Sequence, residues 1–255
     1  MTMSKYYFFV VEGVHDTAAI GKILRKKGFS NKRLMKDVDS YWERIIPKSF
    51  PHNGDLQKRV PTPDFYQNDA VSIGVLNAGG ETEIASAIEG SLLNLSIDDL
   101  NGIAIFCDAD SLEAKDKFDY IYKSIQNIED EEIRNFFYDV QFNNIKNSNC
   151  KAGIFIFPDN NSTGTLEDFL LLGGEREYAD LYDSAQLYIE NIPDTYTSKW
   201  KPSSKNKVLV GVIANVLKPG KANQVSILDN EWITEESLKD TNQKELKGFL
   251  DNLLI

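Results

Sequence analysis

The sequence predicts an α/β fold, a mostly parallel central sheet of about four strands flanked by helices, with a C-terminal helical extension. Two observations lead there. Four short apolar runs, rich in β-branched and aromatic residues, alternate along the chain with helical patterns. Each run also ends abruptly in acidic residues or glycines, the chemistry expected where a buried strand meets solvent.

The elements follow in order. KYYFFVVEG (5–13) has no helical period and reads as a buried strand closing at Glu12-Gly13. Asp16 is placed to cap the helix TAAIGKILRKKG (17–28), which Gly28 closes. RLMKDVDSYWERIIP (33–47) reads as a helix that stops before Pro47. Residues 47–69 are rich in Pro, Asn and Asp and read as a long surface loop. AVSIGVLNAGG (70–80) is the second strand, running into Gly79-Gly80, and ETEIASAIEGSLLN (81–94) is a helix. GIAIFCD (102–108) is the third strand, followed by helices over SLEAKDKFDYIYKSIQNI (111–128) and EEIRNFFYDV (131–140). AGIFIFPD (152–159) is the fourth strand. TLEDFLLLG (165–173) opens a helix with Thr165 and Asp168 spaced as a capping box, and REYADLYDSAQLYIENI (176–192) continues helical.

After Pro193 the composition changes. TYTSKWKPSSKNK (195–207) is a polar, basic linker, KVLVGVIANVLKPG (207–220) a short helix ended by Pro219-Gly220, and the tail from Trp232 one terminal helix. The chain therefore divides into an α/β unit, 1–193, and a basic linker with helical extension, 194–255, packed on it.

With 255 residues, 42% hydrophobic and 26% charged, the chain can bury a full core without staples. No apolar stretch reaches membrane-span length, and the opening residues do not read as a signal peptide. Cys107 and Cys150 form neither a metal spacing nor a disulfide framework, so a reducing cytoplasm is expected. The net charge of −11 argues against a nonspecific nucleic-acid coat. The charge is uneven, however. Residues 22–36 carry seven basic side chains and no acid, and residues 195–228 carry six lysines and no acid. Such stretches commonly just solubilise helix faces. Two of them in an acidic protein, 22–36 and 195–221, also predict a positive groove for a nucleic-acid backbone.

The acids stand at strand ends: Glu12, then Asp108 and Asp110, then Asp159. In a parallel sheet all those ends share one edge, where ligands bind. Carboxylates converging there repel one another, and a divalent cation removes that cost. Hard oxygen ligands suit Mg²⁺ or Mn²⁺. The Asp108-Ala109-Asp110 spacing lets both carboxylates point one way on an extended turn, and Glu12 with Asp16 forms a second pair across a strand-to-helix turn. Simpler roles compete. Aspartates at strand ends cap helices or form turns. Asp168 reads as the capping-box partner, Asp159 before Asn160-Asn161 as an Asx turn, and His15 as a solvated helix start or a residue near the ions. His15 and His52 cannot form a histidine-rich metal site.

At these residues the sequence resembles the Toprim domain of topoisomerases, bacterial primases, small RNA-maturation nucleases and OLD-type nucleases. Glu12-Gly13 matches the family's glutamate at the end of the first strand, and Asp108-Ala109-Asp110 its Asp-x-Asp at the end of the third. The OLD-type branch is similar in more detail, through Asp16, Gly79-Gly80 and Thr165-Leu166-Glu167. The resemblance implies Glu12, Asp16, Asp108, Asp110 and Glu167 as ligands of Mg²⁺ or Mn²⁺, two ions in that branch. It implies Gly13, Gly79 and Gly80 as backbone close to the site. It also implies phosphodiester hydrolysis assisted by a downstream lysine, here Lys207, with Lys205 or Lys221 as alternatives. FPDNNSTGTLEDFLLLG resembles stand-alone Toprim-like bacterial proteins, for which the likeness carries a fold and not an activity.

The likeness covers roughly residues 5–225 and is patchy over 28–70. It lacks a P-loop, and with it the ATPase half of the OLD enzymes. It also lacks the zinc-binding cysteines of a primase and any motif placing a topoisomerase tyrosine. The expected activity is metal-dependent phosphodiester hydrolysis on nucleic acid. The alternative is a catalytically silent or partner-dependent module working with a separate ATPase. A haloacid-dehalogenase-type phosphatase fits Asp108-Ala109-Asp110-Ser111 only loosely, since that family places the pair on its first strand.

Overall fold

The computed structural model describes residues 4–48 and 62–254. In chain order the first half contains β1 (Lys5–Val11), α1 (Val14–Lys26), β2 (Ser30–Lys32), β3 (Asp64–Gln67), β4 (Val71–Asn77), α2 (Ile84–Leu92), β5 (Leu100–Asp108), α3 (Ala114–Gln126) and α4 (Glu131–Phe137). The second half contains β6 (Lys151–Phe157), α5 (Leu166–Glu177), α6 (Ala179–Glu190), α7 (Asp194–Thr197), α8 (Ser204–Leu217), α9 (Asn223–Asp229), α10 (Ser237–Asp240) and α11 (Gln243–Leu253).

The strands among the described residues form one six-stranded sheet in the order β2-β3-β4-β1-β5-β6. β4, β1, β5 and β6 are mutually parallel, while at one edge β3 pairs antiparallel with β4 and β2 antiparallel with β3. The four parallel strands are those expected from the apolar runs. The register sets Val11 opposite both Asn77 and Phe106, and Asp108 opposite Phe157. All four carboxyl ends therefore share one rim.

Period-2 alternation along β1 divides the core. Tyr7, Phe9 and Val11 face a buried cluster with Ile20, Phe106, Phe155, Leu209, Ile227, Trp232 and Leu250. Phe8 and Val10 face the opposite cluster, with Trp42, Ile84, Ile105, Phe118 and Ile154. The residues after 194 thus share the first core with β1 and β6. Among the described residues, no helix is long and apolar enough to cross a membrane.

Four expectations are corrected. The sheet has six strands, because β3 lies within the stretch read as a loop and β2 follows Gly28. Asp64–Gln67 is too short to show a period, and pairing with β4 is what makes it a strand. The rest of that loop, 49–61 with His52, lies outside the described residues.

The helix expected over 33–47 is instead two short 3₁₀ turns, Met35–Asp37 and Ser40–Ile45. Asp39 accepts hydrogen bonds from the Tyr41 backbone N–H and the Tyr6 hydroxyl, at 2.9 and 3.1 Å. Trp42 packs over Gly74, and its Nε1 donates to Ser72 Oγ at 2.9 Å. These tertiary anchors break the helix.

The tail from Trp232 holds two helices, α10 and α11, rather than one, and α9 precedes it. Trp232 is itself fully buried, with Nε1 donating to Ser226 Oγ, and Gln243 Nε2 donates to the Phe169 carbonyl at 2.8 Å. The supposed linker 195–207 holds α7 and the first turn of α8.

Candidate functional site

The rim is assembled from three strand-to-helix turns. In the first, the Glu12 N–H donates to the Phe106 carbonyl at 3.1 Å, which locks the end of β1 to β5. Gly13, in extended backbone, is the N-cap of α1. Asp16 is therefore not the cap. It stands at the third helical position and accepts from the Gly13 N–H through Oδ2 at 3.0 Å. A Cβ on Gly13 would stand 3.2 Å from that oxygen. In the second turn, after β4, Gly79 and Gly80 adopt φ of 90° and 143°, which side chains rarely tolerate. Asn77 Oδ1 accepts from the Gly79 N–H at 2.9 Å and holds the turn.

The third turn, from β6 to α5, meets the end of β5, which it follows by 58 residues. Asp108 N–H donates to Glu12 Oε2 at 3.3 Å, and Asp108 Oδ1 accepts from the Leu166 N–H at 2.7 Å. Glu167 follows in the first turn of α5. Its Oε1 lies 3.6 Å from His15 Nδ1. Glu12, Gly13, His15, Asp16, Asn77, Gly79, Gly80, Asp108, Glu167 and Lys207 together line a cleft of about 390 Å³. Within it, Asp16 Oδ1 and Glu167 Oε2 are buried with no hydrogen-bond partner among the described residues. Among the described residues, no three His, Cys, Asp or Glu side chains already stand as a closed ligand set.

Asp110 departs from this group. It takes a left-handed φ of 54°, and its backbone exchanges hydrogen bonds with Gly164 at 2.7 and 2.9 Å. That conformation breaks the strand alternation, so the two aspartates do not point one way as the spacing predicts. Asp108 turns to Leu166. Asp110 Oδ2 lies 3.4 Å from Lys117 Nζ, which also reaches Glu81 Oε1 at 3.1 Å. Asp110 borders a neighbouring hollow with Ser111, Lys201 and Asn206.

Crowding governs the charge states. Burial, then the charges of Glu12 and Glu167, push the Asp16 carboxyl up to about 8. Burial, then Asp16, Glu12 and Glu167, also raise Asp108 well above the carboxylate range. Glu12 is raised chiefly by burial, with Asp110 and Glu81 adding to it, while the Asp108 N–H and Lys117 oppose. For Glu167 burial pushes upward, but His15, Thr165 and Lys207 outweigh it and hold the group low. Burial disfavours the Lys117 ammonium, yet Glu81 and Asp110 outweigh it and raise its pKa.

The simpler roles hold elsewhere. Asp159 Oδ1 accepts from the Asn161 and Ser162 N–H groups at 3.0 and 2.7 Å, an Asx turn. Asp168 Oδ2 accepts from Thr165 N–H at 2.7 Å, the expected capping box. The basic stretches separate. α1 begins at the cleft, and its 13 residues carry its last turn about 20 Å away. There Lys22 and Lys26 pair with Glu231, and Lys27 with Asp251. The 22–36 stretch therefore does not line the cleft. Lys207 does, and Lys201 borders the hollow beside Asp110.

Sequence reasoning missed Asn77, Glu81 and Lys117. For Lys117 a signal existed. It falls on the apolar stripe of α3 beside Ala114, Phe118 and Ile121, where a lysine needs a buried partner.

No curated protein matches this chain. Among solved structures, the crystal structure of hypothetical protein PH0156 from Pyrococcus horikoshii OT3 is similar in fold, with a TM-score of 0.50 and 13% identity over 98% of this chain and 96% of that one. The family described as "Protein of unknown function (DUF3226)" matches residues 6–254, and the chain belongs to it.

Proposed function

We propose that the protein is a Toprim-like, divalent-cation-dependent phosphodiesterase acting on nucleic acid. One observation carries this reading. Among the described residues, Asp16 Oδ1 and Glu167 Oε2 are buried without partners in the cleft that Glu12 and Asp108 share. An unsatisfied buried acceptor costs about 1–3 kcal/mol, and more when charged. A hard divalent cation offsets that cost and the mutual repulsion together.

Glu12, Asp16, Asp108 and Glu167 would hold Mg²⁺ or Mn²⁺, after side-chain rotation brings their oxygens together. Bound there, the ion supplies a lowered pKa for water and positive charge for the phosphoryl oxygens. The chain's own groups do the rest. Lys207, exposed at the cleft, offsets charge developing on the phosphate. The side-chain-free turn at Gly79 and Gly80 lets a sugar-phosphate backbone approach. Lys201 extends the positive side past Asp110. His15 steadies Glu167 in its charged form.

The test is cleavage of single- and double-stranded DNA and RNA with Mg²⁺, Mn²⁺ or chelator. Cutting that needs the ion, and disappears in Glu12→Gln and Asp108→Asn, is the expected result. Ion binding with cutting only after a separate ATPase is added would identify a partner-dependent module instead. No binding of Mn²⁺ at all would end both readings.

A further inference from the structure

The acidic rim divides at Glu12. Asp16, Asp108 and Glu167 line the cleft on one side, where two buried oxygens lack partners among the described residues. On the other side lie Glu81, Asp110 and Lys117, whose charges all act on Glu12. Lys117 Nζ stands 3.1 Å from Glu81 Oε1 and 3.4 Å from Asp110 Oδ2, with its side chain 3% exposed. The stem passes through the apolar stripe of α3, so the ammonium is delivered to this spot by packing. Without it, Glu12, Glu81 and Asp110 would form a second crowded set of carboxylates.

We propose that Lys117 is a built-in counter-cation filling the Glu81–Asp110 side of the site, so that the protein takes one exchangeable divalent ion, on the Asp16–Asp108–Glu167 side. This rests on the metal-dependent reading above. A buried ammonium held by two carboxylates is costly to remove, because its partners are left charged and unpaired. Exchange for a free cation is correspondingly disfavoured. Asp110 then serves as a positioning residue that holds Lys117, and not as a ligand of the exchangeable ion.

Mn²⁺ titration calorimetry with metal analysis after dialysis tests this on the full chain, with circular dichroism checking each variant's fold. Wild type and Lys117→Arg are expected to bind one ion per chain, and Lys117→Met two. Asp110→Asn should leave the wild-type affinity within about threefold, because its half-exposed carboxylate pairs with Lys117 and such pairs contribute little. Asp16→Asn should weaken it by about 10- to 100-fold, the scale of one charge-assisted contact. Two ions in wild type would overturn the inference and leave the metal-dependent reading standing, whereas no ion would remove that reading first and the inference with it. One ion in a folded Lys117→Met would also overturn it. If that variant does not fold, wild-type stoichiometry and Asp110→Asn decide, and an Asp110→Asn loss as large as that of Asp16→Asn sinks the idea.

Discussion

Asp108 Oδ1 accepts a 2.7 Å hydrogen bond from the Leu166 backbone N–H. This single contact ties the end of β5 to the first turn of α5, 58 residues later. It aims the Asp108 carboxylate along the rim and fixes where Glu167, the next residue after Leu166, enters the cleft. Asp108 is thus both a structural clamp and a member of the acidic group.

That double role makes the choice of variant matter. Asp108→Asn keeps an oxygen for the Leu166 N–H and removes only the charge, and Glu12→Gln keeps the acceptor for the Asp108 N–H. Both should fold normally by circular dichroism. Ion-dependent cleavage should fall by more than about 100-fold, the upper end of what an outer-shell partner costs. Cleavage within a few-fold of wild type by either variant would remove its residue from the site.

The pH dependence has a definite sign. The Asp16 carboxyl is raised from 3.8 to about 8, so between those values the folded ion-free chain binds more protons than the unfolded one. Its contribution is fully present below about 3.8 and is lost as pH rises through about 8. Asp16→Asn removes this loss. At pH 8.5 without metal the variant should melt higher than wild type by at least about 2–4 °C, the shift from about 1 kcal/mol in a chain of this size. At pH 4 the gain should vanish. Conversely, Mn²⁺ affinity of wild type should climb as pH approaches 8, with protons released on binding. Calorimetry in two buffers of different ionisation heat measures that release.

Lys207→Ala should slow cleavage by about 10²–10³-fold, as when one group stabilising a transition-state charge is lost. Mn²⁺ affinity should hold, since the other lining groups near Glu167 remain. A large loss of metal affinity would assign Lys207 to building the site rather than to the phosphate.

The two basic stretches should separate in salt titrations of nucleic-acid binding. Alanine at Lys201 or Lys207 is expected to lower the slope of log K against log salt by about one each. Lys26→Ala should leave the slope unchanged, because Lys26 pairs with Glu231 at the far end of α1. The opposite ranking would place the nucleic acid at the far end of α1, away from the cleft.

The chain after residue 194 should unfold with the sheet. A Cβ at Gly173 would stand 2.0 Å from the Trp232 carbonyl oxygen, a backbone atom that cannot move cheaply. Gly173→Ala should destabilise the protein by about 1–3 kcal/mol. Urea denaturation should show one transition displaced as a whole. Two separate transitions would show that the C-terminal helices fold independently.

Much of this was legible in the residues alone. The four parallel strands, the capping box of Thr165 and Asp168, the Asx turn at Asp159 and the glycines at 79 and 80 all rest on local chemistry. Short-range rules of period, capping and backbone freedom therefore identify them, and they place Glu12 and Asp108 on a common edge. The rest depends on partners distant in sequence. β3 exists because β4 offers it a ladder, and the turns around Trp42 exist because Gly74 and Ser72 receive the indole. Asp110 parts from Asp108 because its left-handed backbone joins Gly164 and because Lys117, on the inner face of α3, draws its carboxylate aside. No spacing rule reveals such choices, since burial and pairing energies arise only once the sheet has brought those residues into contact.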